Sequence, residues 1–154
     1  MLKRITILLW LLVCFVYQSE TFAQKPNYTG TWVLNQEKSK LESQPEGLTS
    51  TVFVIKQDGD EFKLTRYHIF GEKKKKISFK MIADGKKRKV KLLFNGKLEW
   101  KEDGLEASLW RKNFRNIVNY KFGNDKNEFI EDEVFTGNPK DHHNIWVFAR
   151  DNKK

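Results

Sequence analysis

Reactive and cross-linking side chains are scarce in this sequence. Its 154 residues contain one cysteine, Cys14, and three histidines, His68, His142 and His143. Cys14 lies inside an apolar run at the N-terminus, so a chain freed of that run has no thiol, forms no disulfide and draws its stability from packing. There is no Gly-x-Ser-x-Gly elbow, no glycine-rich phosphate loop and no cysteine-based motif, which removes the commonest hydrolase and nucleotide-binding signals. Helical periodicity is missing too: no segment sustains it over ten residues, and the best short candidate, Gln36 to Leu41, is one turn at most. There is also no internal linker, no fixed-period repeat and no low-complexity block beyond two lysine runs.

The one long apolar run stands at the start. Lys3 and Arg4 make a positive beginning, Ile5 to Val16 an apolar stretch broken only by Thr6, and Thr21-Phe22-Ala23 puts small side chains where a signal peptidase must accept them. The run is short for a bilayer span. Residues 1–23 are therefore expected to be a cleaved signal peptide, and residues 24–154 one exported domain, periplasmic or extracellular. The rivals are a retained anchor helix and acylation at Cys14; Val13 is bulky where an acylation site wants a small residue, which speaks against lipoprotein anchoring.

Lysine and arginine number 29 against 20 aspartates and glutamates, a net charge of +9; losing Lys3, Arg4 and Glu20 with the leader leaves +8 on 131 residues. A chain of that length buries roughly two thirds of its unfolded surface, enough for a core without staples. The excess is concentrated at Lys73 to Lys76 and in Lys86-Lys87-Arg88-Lys89, both beside glycine-marked turns. These runs read first as solvated loop and edge charges, which also discourage edge-to-edge pairing. The second reading is attraction to an anionic surface such as a membrane. Lacking interleaved aromatics, the runs do not offer the stacking platform of a single-strand binder, and no specific nucleic-acid partner is expected.

After the leader, runs of five to ten residues rich in Val, Ile, Phe, Tyr, Trp and Thr alternate with Gly, Asp and Asn. Ten such runs are expected strands: 31–35, 49–57, 61–70, 75–83, 88–95, 97–102, 106–112, 115–122, 128–136 and 143–150. Asp58-Gly59, Asp84-Gly85, Asn95-Gly96 and Asp103-Gly104 supply residues that accept positive φ, the chemistry of tight hairpins. The rhythm predicts an antiparallel meander that closes into a barrel or folds into a sandwich, with a flexible flap over 41–48. The strand around Phe53 is apolar on both faces and reads as covered on both. Ile77, Phe79 and Met81 form one apolar row; Leu105, Ala107 and Leu109 form another.

Gly30-Thr31-Trp32, with Leu34-Asn35 and Lys38-Ser39-Lys40 after it, resembles the opening of lipocalin-like secreted bacterial proteins. In such calycins the Gly-x-Trp of the first strand is matched by a basic residue at the end of the last, here Arg150. The resemblance implies an all-β fold, an antiparallel meander closed into an eight- to ten-stranded calycin-like barrel. It also implies a barrel-closing group of Gly30, Trp32 and Arg150, in which a guanidinium stacked on an indole covers one end. Ten runs suit the fatty-acid-binding type of calycin better than the eight-stranded lipocalin, although no helical lid is visible between Asn35 and Leu48. The implied role is to hold a small apolar or amphipathic ligand inside the barrel.

Arg66, Tyr67, Arg111, Arg115 and Tyr120 are the polar groups expected to meet such a ligand if it is an anionic amphiphile, because guanidinium pairs a carboxylate through two hydrogen bonds. Asp141-His142-His143 is the sole local set of metal-ligand types, but neighbouring strand residues point to opposite faces, and no metal or other cofactor is expected. Glu131 and Glu133 share a face; an acidic outer surface opposing nearby lysines is the preferred reading over a paired-carboxylate active site. The expectation is a monomeric, non-enzymatic binding barrel for a small hydrophobic or anionic amphipathic molecule. A filled barrel docking its lysine loops on an anionic membrane surface or acidic partner is second, and a hydrolase or isomerase third.

Overall fold

A computed structural model describes residues 25–152 of the chain. The expected leader, and the first residue of the domain drawn after it, lie outside the described residues. The strands are β1 (Gly30–Leu34), β2 (Lys40–Leu41), β3 (Ser50–Asp58), β4 (Glu61–Phe70), β5 (Lys73–Ile82), β6 (Arg88–Lys91), β7 (Phe94–Lys101), β8 (Gly104–Arg111), β9 (Phe114–Phe122), β10 (Glu128–Gly137) and β11 (His142–Arg150). No helix occurs among the described residues.

Antiparallel pairing runs β5-β4-β3-β1-β11-β10-β9-β8-β7-β6, so the first and last long strands meet in the middle of one sheet. The sheet then curls until its ends approach. Asp84 bridges Glu99, and the Gly85 amide donates to the Leu98 carbonyl at 3.0 Å, which brings the chain leaving β5 onto β7. The result is a nearly closed ten-strand barrel of calycin type, a geometry that leaves few free edges.

Turn chemistry explains most of the joints and one exception. Gly59, Gly71 and Gly85 sit at φ of 55°, 59° and 71°, where a side chain is strained. Asn95-Gly96, expected to be a turn, instead lies inside β7, and the chain reverses at Leu92-Leu93. The reason is steric. A Cβ on Gly96 would stand 2.9 Å from Val90 and 3.0 Å from both Leu109 and Met81, so this glycine permits close packing rather than a reversal.

Three further expectations change. The helical turn over 36–41 is a reversal followed by β2, because Ser39 Oγ donates to the Asn35 carbonyl at 2.7 Å and accepts the Val147 amide at 2.9 Å, drawing Lys40 and Leu41 onto β11. The flap after β2 is tied down at its start: Asn144 accepts the Ser43 amide at 3.1 Å and donates to the Ser43 carbonyl at 2.8 Å. The strand around Phe53 is covered on one face only, with Phe53 and Ile55 buried and Val52 and Val54 half-exposed.

One end of the barrel is solid. Tyr28 lies beneath it, fully buried, with its hydroxyl on the Tyr120 carbonyl at 3.1 Å, and packs against Phe122, Phe129 and Trp100. The guanidinium carbon of Arg150 stands 4.2 Å over the Trp32 ring, and the indole N–H donates to the Tyr28 carbonyl at 3.1 Å. A Cβ on Gly30 would come within 2.8 Å of Arg150 Nη1, so glycine leaves the space this stack needs.

Gly104 has the tightest surroundings of the strand glycines: a Cβ there would meet the Tyr120 carbonyl oxygen at 2.2 Å, and backbone on a neighbouring strand cannot step aside. Gly104→Ala is expected to cost about 2–4 kcal/mol in urea unfolding. Gly96→Ala, opposed only by side-chain ends, should cost less, and the reverse ranking would refute this packing.

Candidate functional site: a cavity with a charged wall

Alternation along each strand decides what reaches the interior. On β4 it sends Leu64, Arg66 and His68 inward; on β5, Ile77, Phe79 and Met81; on β8, Ala107 and Leu109; on β10, Glu131, Glu133 and Phe135. These side chains, with Phe53, Phe94, Phe114, Asn116, Val118 and Tyr120, line a cavity of about 330 Å³. Both apolar rows expected from the sequence contribute to it. Its aromatic side carries Phe94, Phe114 and Phe135 in succession, with ring centres 5.7 and 5.3 Å apart, and His142 stacks on Phe135 at 4.8 Å.

The expected acidic outer face is overturned: Glu131 and Glu133 are buried, at 1% and 8% exposure, and turn into the cavity. Phe129 and Phe135 share their side of β10 and carry the carboxylates inward with them. Arg66 pairs with Glu131, its guanidinium 4.8 Å from the Phe53 ring and 5.6 Å from that of Trp146. Glu133 accepts hydrogen bonds from Asn116 Nδ2 at 2.8 Å, Asn144 Nδ2 at 3.1 Å and Trp146 Nε1 at 2.7 Å.

These surroundings separate the two carboxyls. Burial lifts Glu131 to about 7 against the opposing pull of Arg66. At Glu133 burial also pushes upward, but the Arg66 charge and three hydrogen bonds outweigh it and hold the group below its usual range. Burial, helped by Arg66 and Lys75, lowers His68 to about 4, and its Nδ1 lies 3.1 Å from Thr51 Oγ1. Burial raises the Tyr120 phenol, and it stays neutral.

The five residues expected at a ligand are divided by the fold. Arg66 and Tyr120 line the cavity. Tyr67 faces outward, with Lys74 4.1 Å and Lys76 5.9 Å from its ring. Arg111 and Arg115 border a shallow groove of about 840 Å³ outside the cavity, together with Lys87, Lys97, Trp110 and Asp141. His142 and His143 have separate partners, since His143 Nε2 lies 2.7 Å from Asp132 Oδ1. No group of three metal-ligand side chains occurs among the described residues. Glu131, Glu133 and Asn116 were missed as cavity groups; the available signal was the spacing Phe129-x-Glu131-x-Glu133-x-Phe135.

Solved structures with the same architecture include zebrafish ileal bile acid-binding protein complexed with cholic acid, at TM-score 0.53 and 14% identity over 80% of this chain and 98% of that one. The fold is that of the calycin barrels. The REP1-NXSQ fatty acid transporter aligns at TM-score 0.57 and 12% identity over 82% and 97% of the two chains. An abundant heat soluble (SAHS) protein from Ramazzottius varieornatus aligns at 0.56 and 14% over 80% and 94%. No protein-family model and no curated protein sequence matches the chain. At such identities the likeness concerns the fold.

The two shifted groups give opposite pH limbs. Native His68 stays neutral down to about 4 whereas an unfolded imidazole charges near 6.5, so its contribution is complete above 6.5 and is lost as pH falls towards 4. Glu131 has a native value raised to about 7 from 4.5, so its contribution is present below 4.5 and is lost as pH rises through 7. Melting curves of His68→Gln across this range should therefore fall less steeply on the acid side than wild type, and an unchanged acid slope would contradict this environment.

Proposed function

We propose that this protein is a non-enzymatic binding barrel that holds a small hydrophobic or amphipathic molecule in the interior cavity. The observation that carries the reading is the hollow itself: an apolar chamber with a few converging polar groups, inside a barrel plugged at its other end. About 330 Å³ lies at the small end of the range of ligand pockets, roughly 300–1,000 Å³. Two of the structural neighbours, a bile acid-binding protein and a fatty acid transporter, support the same class of role. Sequestration or carriage, rather than turnover, fits a wall whose polar groups are mostly bonded to one another. The sequence of residues 1–23 supports action after export, in the periplasm or outside the cell.

The arms of the stack between Trp32 and Arg150 give that plug its role. Arg150 also reaches the Thr29 carbonyl at 3.1 Å, tying the segment that crosses the barrel floor to the last strand. With the floor fixed, ligand entry belongs to the end where Phe94, Phe114 and Phe135 lie.

A second reading, docking on an anionic membrane, draws on a different observation. Leu92 and Leu93 form the β6–β7 turn at 81% and 64% exposure, beside the exposed Lys89 and Lys91. An apolar tip flanked by lysines suits an acidic lipid interface, through modest burial plus salt-sensitive attraction.

The neutral dye Nile red tests the first reading. It should bind the purified protein with enhanced fluorescence, and Ala107→Phe, which fills the chamber, should weaken binding about tenfold or more while strand circular dichroism is retained. Equal binding by the filled variant would show that the dye sits elsewhere. For the second reading, Leu92→Ser with Leu93→Ser should abolish flotation with phosphatidylglycerol vesicles and leave Nile red binding unchanged.

A further inference from the structure

The charges in the cavity wall do not balance. Two carboxylates, Glu131 and Glu133, face one guanidinium, Arg66, and Arg66 is already paired with Glu131. His68 lines the same wall but is held neutral, and Tyr120 keeps its proton. Three cations stand at the chamber's margin: Lys75, the cross-strand partner of His68; Lys91, whose Nζ is 4.9 Å from the Phe79 ring; and Arg111, whose guanidinium is 5.3 Å from the Phe114 ring. All three are exposed, so water and salt screen them.

Hydrogen-bonding capacity is unbalanced in the same sense. Asn116 donates its Nδ2 to Glu133, which fixes the amide's orientation, because a flipped amide would set oxygen against carboxylate. Its Oδ1 is then buried without a donor. A buried acceptor left unpaired is costly, and this one lines the chamber beside a carboxylate.

We propose that the cavity selects an apolar chain ending in a protonated amine over one ending in a carboxylate. The inference rests on the cavity being the ligand site and names the head group it prefers. An ammonium brings one positive charge and three N–H donors with no acceptor, which suits an acidic wall with a spare amide oxygen. A carboxylate brings acceptors alone, adds an anion beside the ionised Glu133 and finds the wall's one cation engaged by Glu131. The apolar chain lies against Phe79, Phe94, Leu109 and Phe114, which need no polar partner.

Isothermal titration at pH 8, above the value near 7 to which burial lifts Glu131, with decylamine, decanol and decanoate tests this on the unaltered protein. Decylamine should bind at least about tenfold more tightly than decanoate, with decanol between them. Glu131→Gln, which frees Arg66, should strengthen decanoate binding and weaken decylamine binding, together reversing the order. Glu133→Gln should shift preference in the same direction, and serves if the first variant does not fold. Decanoate or decanol binding as tightly as decylamine to the unaltered protein would overturn the amine assignment while leaving a ligand cavity standing. Binding of none of the three would instead remove the ligand cavity itself, and the assignment with it.

Discussion

The ion pair between Arg66 and Glu131, set inside an apolar barrel, is the constraint around which the interior is organised. Isolated charges in such surroundings are costly, and a pair is tolerated only where geometry and further hydrogen bonds compensate. Here the compensation is extensive. Arg66 lies against the rings of Phe53 and Trp146, while Asn116, Asn144 and Trp146 satisfy the second carboxylate, Glu133. Five strands, β3, β4, β9, β10 and β11, therefore converge on one polar knot, and replacing any member strands a buried partner. A wall of this kind gives the chamber fixed donors and acceptors rather than solvent-like ones.

The two ends of the barrel divide the work. The lower end is filled by Tyr28, Trp32 and Phe129, each stabilised by about 1.5–3 kcal/mol on full burial, with Phe122 partly buried against them. Arg150 covers it from outside. Dense packing there leaves the upper half free to stay hollow, because strand pairing and the lower core already hold the sheet closed. Asn144 joins the halves: its Nδ2 donates both to Glu133 in the interior and to the Ser43 carbonyl of the flap, while its Oδ1 accepts the Ser43 amide. A disturbance of the polar knot thus reaches the segment after β2 through a single side chain.

Much of the fold was legible because its signals are local. Alternation and glycine turns place nearly every strand, and Gly30-x-Trp32 with Arg150 foreshadows the observed stack. What escaped detection depends on long-range packing. Asn95-Gly96 has the composition of a turn, yet Val90, Leu109 and Met81 close around it from three other strands. Ser39 creates β2 through a bond to Val147, far along the chain. Glu131 and Glu133 suggest an acidic outer face opposing nearby lysines, because charge alone points that side of β10 to solvent. Aromatic bulk decides the side instead.

That inversion bears on what the cavity can hold. Arg66 was read from sequence as a ready cation for an anionic head group, which would be sound if it entered the chamber alone. It does not, because β10 delivers two carboxylates opposite it, and the wall's net character changes from basic to acidic even though the whole chain is strongly basic. Global charge and local charge have opposite signs here, and a molecule placed in the chamber would meet the local one. The lysines remain outside, where they act on surfaces the molecule approaches rather than on what it encloses.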